Sequence, residues 1–106
     1  LVQKQYTTGK VRNIWKDGGS GEGYLVNNQY NGIASRTFSS GNKYFGQFKD
    51  DKRNGFGLFV FSNGDSYEGF WTDNLKEGLG VYKWADGEKY QGPWKNNNMH
   101  GEGTWT

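Results

Sequence analysis

Few side chains in this 106-residue chain are of the types that do chemistry, and their spacing argues against it. His100 is the only histidine and lies in a polar stretch, with no cysteine to join it as a metal ligand or nucleophile. The carboxylates Asp65, Glu68, Asp73, Glu77, Asp86 and Glu88 are expected at turns and on outer faces. Nothing there would desolvate two of them into an acid and a base. The run Gly18-Gly19-Ser20-Gly21-Glu22-Gly23 has the outline of a phosphate-cradling loop, yet no Lys-Ser/Thr follows and no helix start is signalled. The residues therefore point to no catalytic, metal-binding or cofactor-binding role. A net charge of +2 gives no ground for a nucleic-acid partner. No stretch approaches the roughly 20 apolar residues that span a bilayer, and no charged-then-apolar leader opens the chain. A start at Leu1 and a stop inside a repeated phrase predict a piece of a longer protein.

That repeated phrase organises the chain. GNKYFGQFKDDKRNGFGLFVFSN from Gly41, GDSYEGFWTDNLKEGLGVYKWAD from Gly64 and GEKYQGPWKNNNMHGEGTWT from Gly87 align without a gap at a period of 23 residues. One glycine of the phrase recurs at Gly9, Gly32, Gly55, Gly78 and Gly101, so the register runs through the whole sequence. Fixed periods of this size mark arrays of small units that stabilise one another. Residues 1–106 read as one array: a partial repeat over 1–17, a degenerate one over 18–40, full repeats over 41–63 and 64–86, and a truncated one over 87–106. Hydrophobic residues are only 32%, while aromatics reach 18% and glycines number 18. Such a composition suits a thin sheet stacked on its own rings better than a two-layer core.

Period-two alternation predicts short strands near 10–16, 19–26, 33–39, 42–49, 56–62, 65–72, 79–85, 88–95 and 102–106. Asp17-Gly18, Ser40-Gly41, Asn63-Gly64 and Asp86-Gly87 mark tight turns. The polar stretches 27–31, 50–54, 73–77 and 96–100 read as looser loops, with Lys49-Asp50-Asp51-Lys52-Arg53 an internally neutralised, exposed one. Pro93 falls where a strand should be, which suggests an edge or a local break. If Gly64 is the left-handed residue of a three-residue loop, Phe61 pairs with Asp65, Phe59 with Tyr67 and Gly57 with Gly69. A two-residue loop would scatter the repeated marks over both faces; this register collects them on one.

On that face each glycine leaves a slot for a ring, with Gly46, Gly69 and Gly92 serving Phe48, Trp71 and Trp94. Glycines also let the sheet curve into a trough. Tyr44, Phe48, Tyr67, Trp71, Tyr82, Trp84, Tyr90 and Trp94 are expected either to be simply core or, along the rims of the trough, to anchor a partner chain. The opposite face collects Phe45, Phe56, Leu58, Val60, Phe70, Leu79 and Val81. It is expected either to be covered by another chain, another domain or a second copy, or to pack under stems such as Lys49 and Lys83. Lys4, Lys10, Arg12 and Lys16 place four positive charges and no negative one in the first 16 residues. They form a solvated strand face or a contact for anionic lipid headgroups.

The phrase YxGxFxxxxxxxGxGxxxxxxG resembles the MORN repeat. Tyr44, Gly46, Phe48, Gly55 and Gly57 match it, as do Tyr67, Gly69, Trp71, Gly78 and Gly80, and Tyr90, Gly92, Trp94, Gly101 and Gly103. The resemblance is clear from Gly41 to Thr106 and weaker toward the N-terminus. It implies an all-β, elongated, single-layer antiparallel array with one hairpin per repeat. It also implies non-catalytic work: binding and scaffolding other protein chains, self-association, or attachment to anionic lipid surfaces. The expected setting is intracellular, in a cytoskeletal, ciliary or membrane-associated assembly. Similar repeats precede catalytic domains in lysine methyltransferases and plant phosphoinositide kinases, so the regulatory end of a larger enzyme is a further alternative.

Overall fold

Alternating side chains and closely spaced turns leave this chain one way to satisfy its backbone, which is to pair each strand with the next. The computed structural model describes residues 8–106 and shows ten strands in a single antiparallel sheet. They are β1 (Thr8–Ile14), β2 (Ser20–Val26), β3 (Gln29–Thr37), β4 (Lys43–Lys49), β5 (Lys52–Val60), β6 (Ser66–Thr72), β7 (Leu75–Lys83), β8 (Lys89–Lys95), β9 (Asn98–Met99) and β10 (Thr104–Trp105). Sheet order follows chain order from β1 to β8, after which β9 and β10 both pair with β8. No helix interrupts the described residues, and the molecule measures 46 × 23 × 17 Å.

The two ends of each hairpin use different turn chemistry. At one end the three-residue loop appears as expected: the Phe61 N–H donates to the Asp65 carbonyl at 2.8 Å, and Phe59 faces Tyr67 and Gly57 faces Gly69. Gly64 has a φ of +98°, a conformation glycine adopts without strain. The residue before it folds back on its own backbone, Asn63 Oδ1 accepting the Asp65 N–H at 2.9 Å, and Asp17 and Asp86 repeat this bond.

At the other end the looser loops expected over the polar stretches are in fact tight. Asn27-Asn28, Asp50-Asp51, Asp73-Asn74 and Asn96-Asn97 each have two consecutive positive φ values between 48° and 71°, the signature of a two-residue type I′ turn. Strands β3, β5 and β7 therefore begin four residues earlier than the alternation suggested, at Gln29, Lys52 and Leu75. A register shift follows, between Gly46 and Phe48 on β4 and between Gly69 and Trp71 on β6, while Gly55 and Gly78 opposite take φ values of 102° and 80°. This bulge is what the most regular glycine of the period is for. Pro93 occupies the repeat position of Phe70, inside the shift, so its missing N–H falls where ladder bonds are already interrupted and β8 runs through it.

The turn residues also lock one hairpin to the next. Asp51 Oδ1 accepts from the Tyr30 N–H at 2.7 Å while the Asp51 N–H donates to the Tyr30 carbonyl at 3.0 Å. Asn74 clamps Arg53 in the same way at 2.8 and 3.0 Å, and Asn97 clamps Lys76 at 2.8 and 3.1 Å. Residues 30, 53 and 76 are thus each held on both backbone groups by a turn from the following repeat.

The core is one face of the sheet. Tyr44, Tyr67 and Tyr90 are buried, each lying across a facing pair of glycines, with the hydroxyl donating to the carbonyl three residues on. The slots therefore belong to these tyrosines and not to Phe48, Trp71 and Trp94 as expected, because the hydroxyl's bond to the carbonyl three residues on holds each tyrosine ring down across the glycines. The tryptophans pack edge-on between successive tyrosines: Trp71 meets Tyr44 at 5.7 Å and Tyr67 at 5.1 Å, and Trp94 meets Tyr67 at 5.3 Å and Tyr90 at 5.5 Å. Each such pair adds about 0.5–1.5 kcal/mol beyond burial. In the degenerate repeat Gly21 stands where the tyrosine should be. Tyr30, from the next strand, fills that place and accepts a bond from Asn13 Nδ2 at 2.8 Å.

A Cβ at Gly80 would overlap the Tyr67 hydroxyl, whereas one at Gly87 meets nothing and is opposed only by its φ of +97°. Gly80→Ala is therefore expected to destabilise by about 3 kcal/mol or more and Gly87→Ala by only about 1–2 kcal/mol. Urea denaturation of the two variants beside the parent checks the order; equal losses would refute the slot.

Candidate interaction surfaces

Two faces of unlike character result, and neither gathers a catalytic constellation. Among the described residues no three His, Asp or Glu side chains converge as a metal site would need.

On the aromatic face, six of the eight rings singled out from the sequence are sealed: Tyr44, Phe48, Tyr67, Trp71, Tyr90 and Trp94. They act as core, and only Tyr82 and Trp84 of that set present surface, beside the half-buried Phe38 and Phe61. What seals the rings is a set of cationic stems that the sequence reading passed over. The Arg53 guanidinium lies 4.6 Å from the Trp71 ring centre, 5.0 Å from Phe59 and 5.8 Å from Tyr44. The Lys76 ammonium is ringed by Trp94, Tyr67, Tyr82 and Trp71 at 5.4–6.0 Å. Arg36 covers Trp15 at 4.6 Å and Phe38 at 5.0 Å. Such contacts are worth about 0.5–2 kcal/mol each. The expectation of an exposed, self-neutralised loop around Arg53 thus fails, because the type I′ turn at Asp50-Asp51 carries Arg53 onto β5 and over the rings. The signal was present in the sequence: cations stand at 53 and 76, one period apart.

Burial lowers the affinity of Arg53 and Lys76 for their protons, and for Lys76 the nearby charge of Arg53 adds to the effect. The same burial raises the tyrosines, Tyr44 to about 12 and Tyr82 to about 12, with Tyr67 and Tyr30 moved in the same direction. At Tyr82 a carboxylate contributes further: the hydroxyl donates to Asp65 Oδ2 at 2.8 Å, while Asp65 Oδ1 accepts the Ala85 N–H at 2.9 Å. Asp65 was expected on an outer face; it is buried at the rim, tying the β5–β6 loop to β7 and the residues after it.

The opposite face carries the apolar patch as expected. Phe45, Leu79 and Phe70 are 60%, 64% and 48% exposed, Phe56 and Val60 are exposed, and Leu58 and Val81 are half-buried. The trough lies on this side rather than over the aromatic ladder, whose space the rings and stems fill. Three adjoining clefts open here. One of about 820 Å³ is lined by Phe56, Phe70, Leu79, Val81 and Pro93, one of about 380 Å³ by Ile33, Phe45, Phe56 and Leu58, and one of about 220 Å³ by Lys10, Tyr24, Ile33 and Phe45. Shared walls at Phe56 and Phe45 make them a single groove along the array, with Glu22, Glu68 and Glu102 among its linings. Of the basic residues near the N-terminus, Lys4 lies outside the described residues. Lys10 and Arg12 are exposed on β1, with Arg12 facing Glu22, and Lys16 is exposed in the following turn.

Tyr44 and Tyr82 stay protonated in the fold to about pH 12 and ionise near their ordinary value of 10 when unfolded. Between those values the unfolded chain holds fewer protons, so stability is intact below pH 10 and falls as pH rises from 10 toward 12. Absorbance titration of the phenolates should show a late-ionising class in native protein that disappears in urea and shrinks in Tyr82→Phe. Ionisation of every tyrosine near pH 10 in native protein would contradict this packing.

The family model of the MORN repeat matches residues 22–43, 44–66, 67–89 and 90–106. No curated protein matches the sequence closely enough to be called a relative. MORN repeats are typically modules of protein or lipid interaction and are generally non-catalytic. Four consecutive matches across most of the chain, on one antiparallel hairpin per repeat, mean that this protein belongs to the MORN-repeat family.

Proposed function

We propose that this chain is a non-catalytic scaffold module that binds another protein chain in the groove lined by Phe45, Phe56, Phe70 and Leu79, within a larger intracellular assembly of the cytoskeletal, ciliary or membrane-associated kind. The observation that carries this reading is the groove itself. Exposed phenylalanine and leucine side chains in adjoining clefts on a single-layer sheet are an apolar patch of the kind that marks interaction sites. Polar residues would be the ordinary choice for an uncovered sheet face. Its geometry suits an elongated occupant, a helix or an extended segment, laid across the strands. The partly buried Leu58 and Val81 form the floor, and Glu68 and Glu102 supply polar contacts at the walls.

The direct test is affinity capture from the source cells with the intact array, beside a Phe56→Asp, Leu58→Asp, Val81→Asp variant shown to be folded by circular dichroism. The groove reading expects one abundant protein partner to be retained by the parent and reduced about tenfold or more by the variant. Unchanged capture by the variant would overturn it. Salt-sensitive capture on anionic vesicles, lost on neutralising Lys4, Lys10, Arg12 and Lys16, would replace it with a lipid-directed role.

A further inference from the structure

The cations over the aromatic ladder have unused hydrogen-bonding capacity. Buried Nε atoms of Arg36 and Arg53 have no hydrogen-bond partner, and Arg53 makes one side-chain bond, from Nη2 to the Asn74 carbonyl at 3.1 Å. Carboxylates near the same rings are engaged elsewhere. Asp65 is held by Tyr82 and Ala85, Asp51 accepts from the Tyr30 N–H, and Glu77 accepts from the Asn96 N–H at 3.3 Å. The row is continuous: Arg36 covers Phe38, Phe38 stacks on Phe59 at 5.8 Å, Arg53 covers Phe59 and Trp71, and Lys76 covers Trp71 and Trp94.

A cation does not stand at this position in every repeat. In the repeat register the positions equivalent to Arg53 and Lys76 are Tyr30 and Met99, and neither carries a cation. Arg53 and Lys76 keep theirs in spite of partial desolvation, which disfavours an ion without a counter-charge. Their backbones are clamped on both sides by Asn74 and Asn97, so the two groups are presented in a fixed arrangement. They stand two strand spacings apart, about 10 Å, which an extended chain covers in about three residues. A guanidinium with one flat side on an aromatic ring still offers its N–H edge to a carboxylate.

We propose that Arg36, Arg53 and Lys76 form a docking track for an acidic, extended segment of a partner protein, with carboxylates about three residues apart meeting Arg53 and Lys76. The track lies on the face opposite the apolar groove and does not depend on it. A partner engaging both would clasp the sheet from its two sides, and the acidic contact would weaken with salt while the apolar one would not.

The probe is a synthetic peptide with glutamate at every third position, titrated into the 106-residue chain at low ionic strength and followed by tryptophan fluorescence, since Trp71 and Trp94 lie beneath the cations. Binding that weakens with salt and is absent for the glutamine counterpart is the expected result. Arg53→Met with Lys76→Met, which keeps apolar stems over the rings, should weaken it about tenfold or more. Lys49→Met with Lys83→Met, equal in net charge but outside the track, should change it less than about twofold. If the first double variant fails to fold, Arg36→Gln and Lys76→Gln alone, on different strands, each predict a loss of about threefold. No binding, equal binding of the glutamine peptide, or equal loss in both methionine variants would overturn the proposal. Capture on phosphatidylserine vesicles through the same residues, with no peptide binding, would overturn it in favour of a membrane. A groove variant of unchanged charge, Phe56→Ser with Leu58→Ser and Val81→Ser, should bind the peptide unchanged, so the two surfaces stand or fall separately.

Discussion

From β4 onward the sheet depends on a tyrosine lying flat across two facing glycines. Tyr67 covers the Gly69–Gly80 pair, Tyr44 the Gly46–Gly57 pair and Tyr90 the Gly92–Gly103 pair, and in each the hydroxyl reaches the carbonyl of a residue in the register shift. The ring must descend to the backbone because there is no second layer to pack against. Only two side-chain-free positions opposite each other leave room for it. Once it is down, the neighbouring tryptophan can stand edge-on over it and donate Nε1–H to the carbonyl of the preceding repeat, as Trp71 does to Gly57 at 3.4 Å and Trp94 to Gly80 at 3.3 Å. Ring, slot and bulge therefore come as one unit. Each unit gains its full burial only when the next repeat supplies the following tryptophan, which is the reason such hairpins occur in arrays.

The same unit fixes where functional groups can stand. The bulge glycine and the type I′ turn return the chain so that residues 53 and 76 emerge above the rings, and the Asx side chain of the next turn pins their backbones. On the reverse side, alternation forces the residues between the marks outward, including Phe45, Phe70, Leu79 and Val81. Neither surface is free to vary independently of the fold. Shifting one strand by a residue would exchange the cations' face for the groove.

How much of this was legible in the sequence follows from which signals are local. The 23-residue period, the register of the Asn63-Gly64 loop and the division of residues between faces are all stated by glycine and aromatic spacing, and they stand in the structure. The type I′ turns were hidden because Asp50-Asp51 and Asp73-Asn74 lie within runs of polar residues where no single dipeptide stands out, and asparagine and aspartate adopt left-handed φ without the glycine that usually marks it. Arg53 was obscured in consequence, since assigning it to a loop removed it from the rings. The side on which the trough opens could not be read from spacing, because it depends on which face is filled, and that is decided by long stems whose path only the folded backbone defines.

The covering of the ladder bears on what such a thin sheet can recognise. In a two-layer protein the core is hidden by other elements, and surface residues can change without touching it. Here the cover is made of the charged ends of Arg36, Arg53 and Lys76, which lie directly over the rings. Core protection and surface charge thus reside in the same atoms. Replacing the lids by apolar residues would protect the rings equally well but leave a second exposed apolar face on a sheet that already carries one. Cationic lids avoid that outcome and keep the two sides chemically distinct, one apolar and grooved, the other aromatic and positive. A partner that discriminates between them must approach from a defined side.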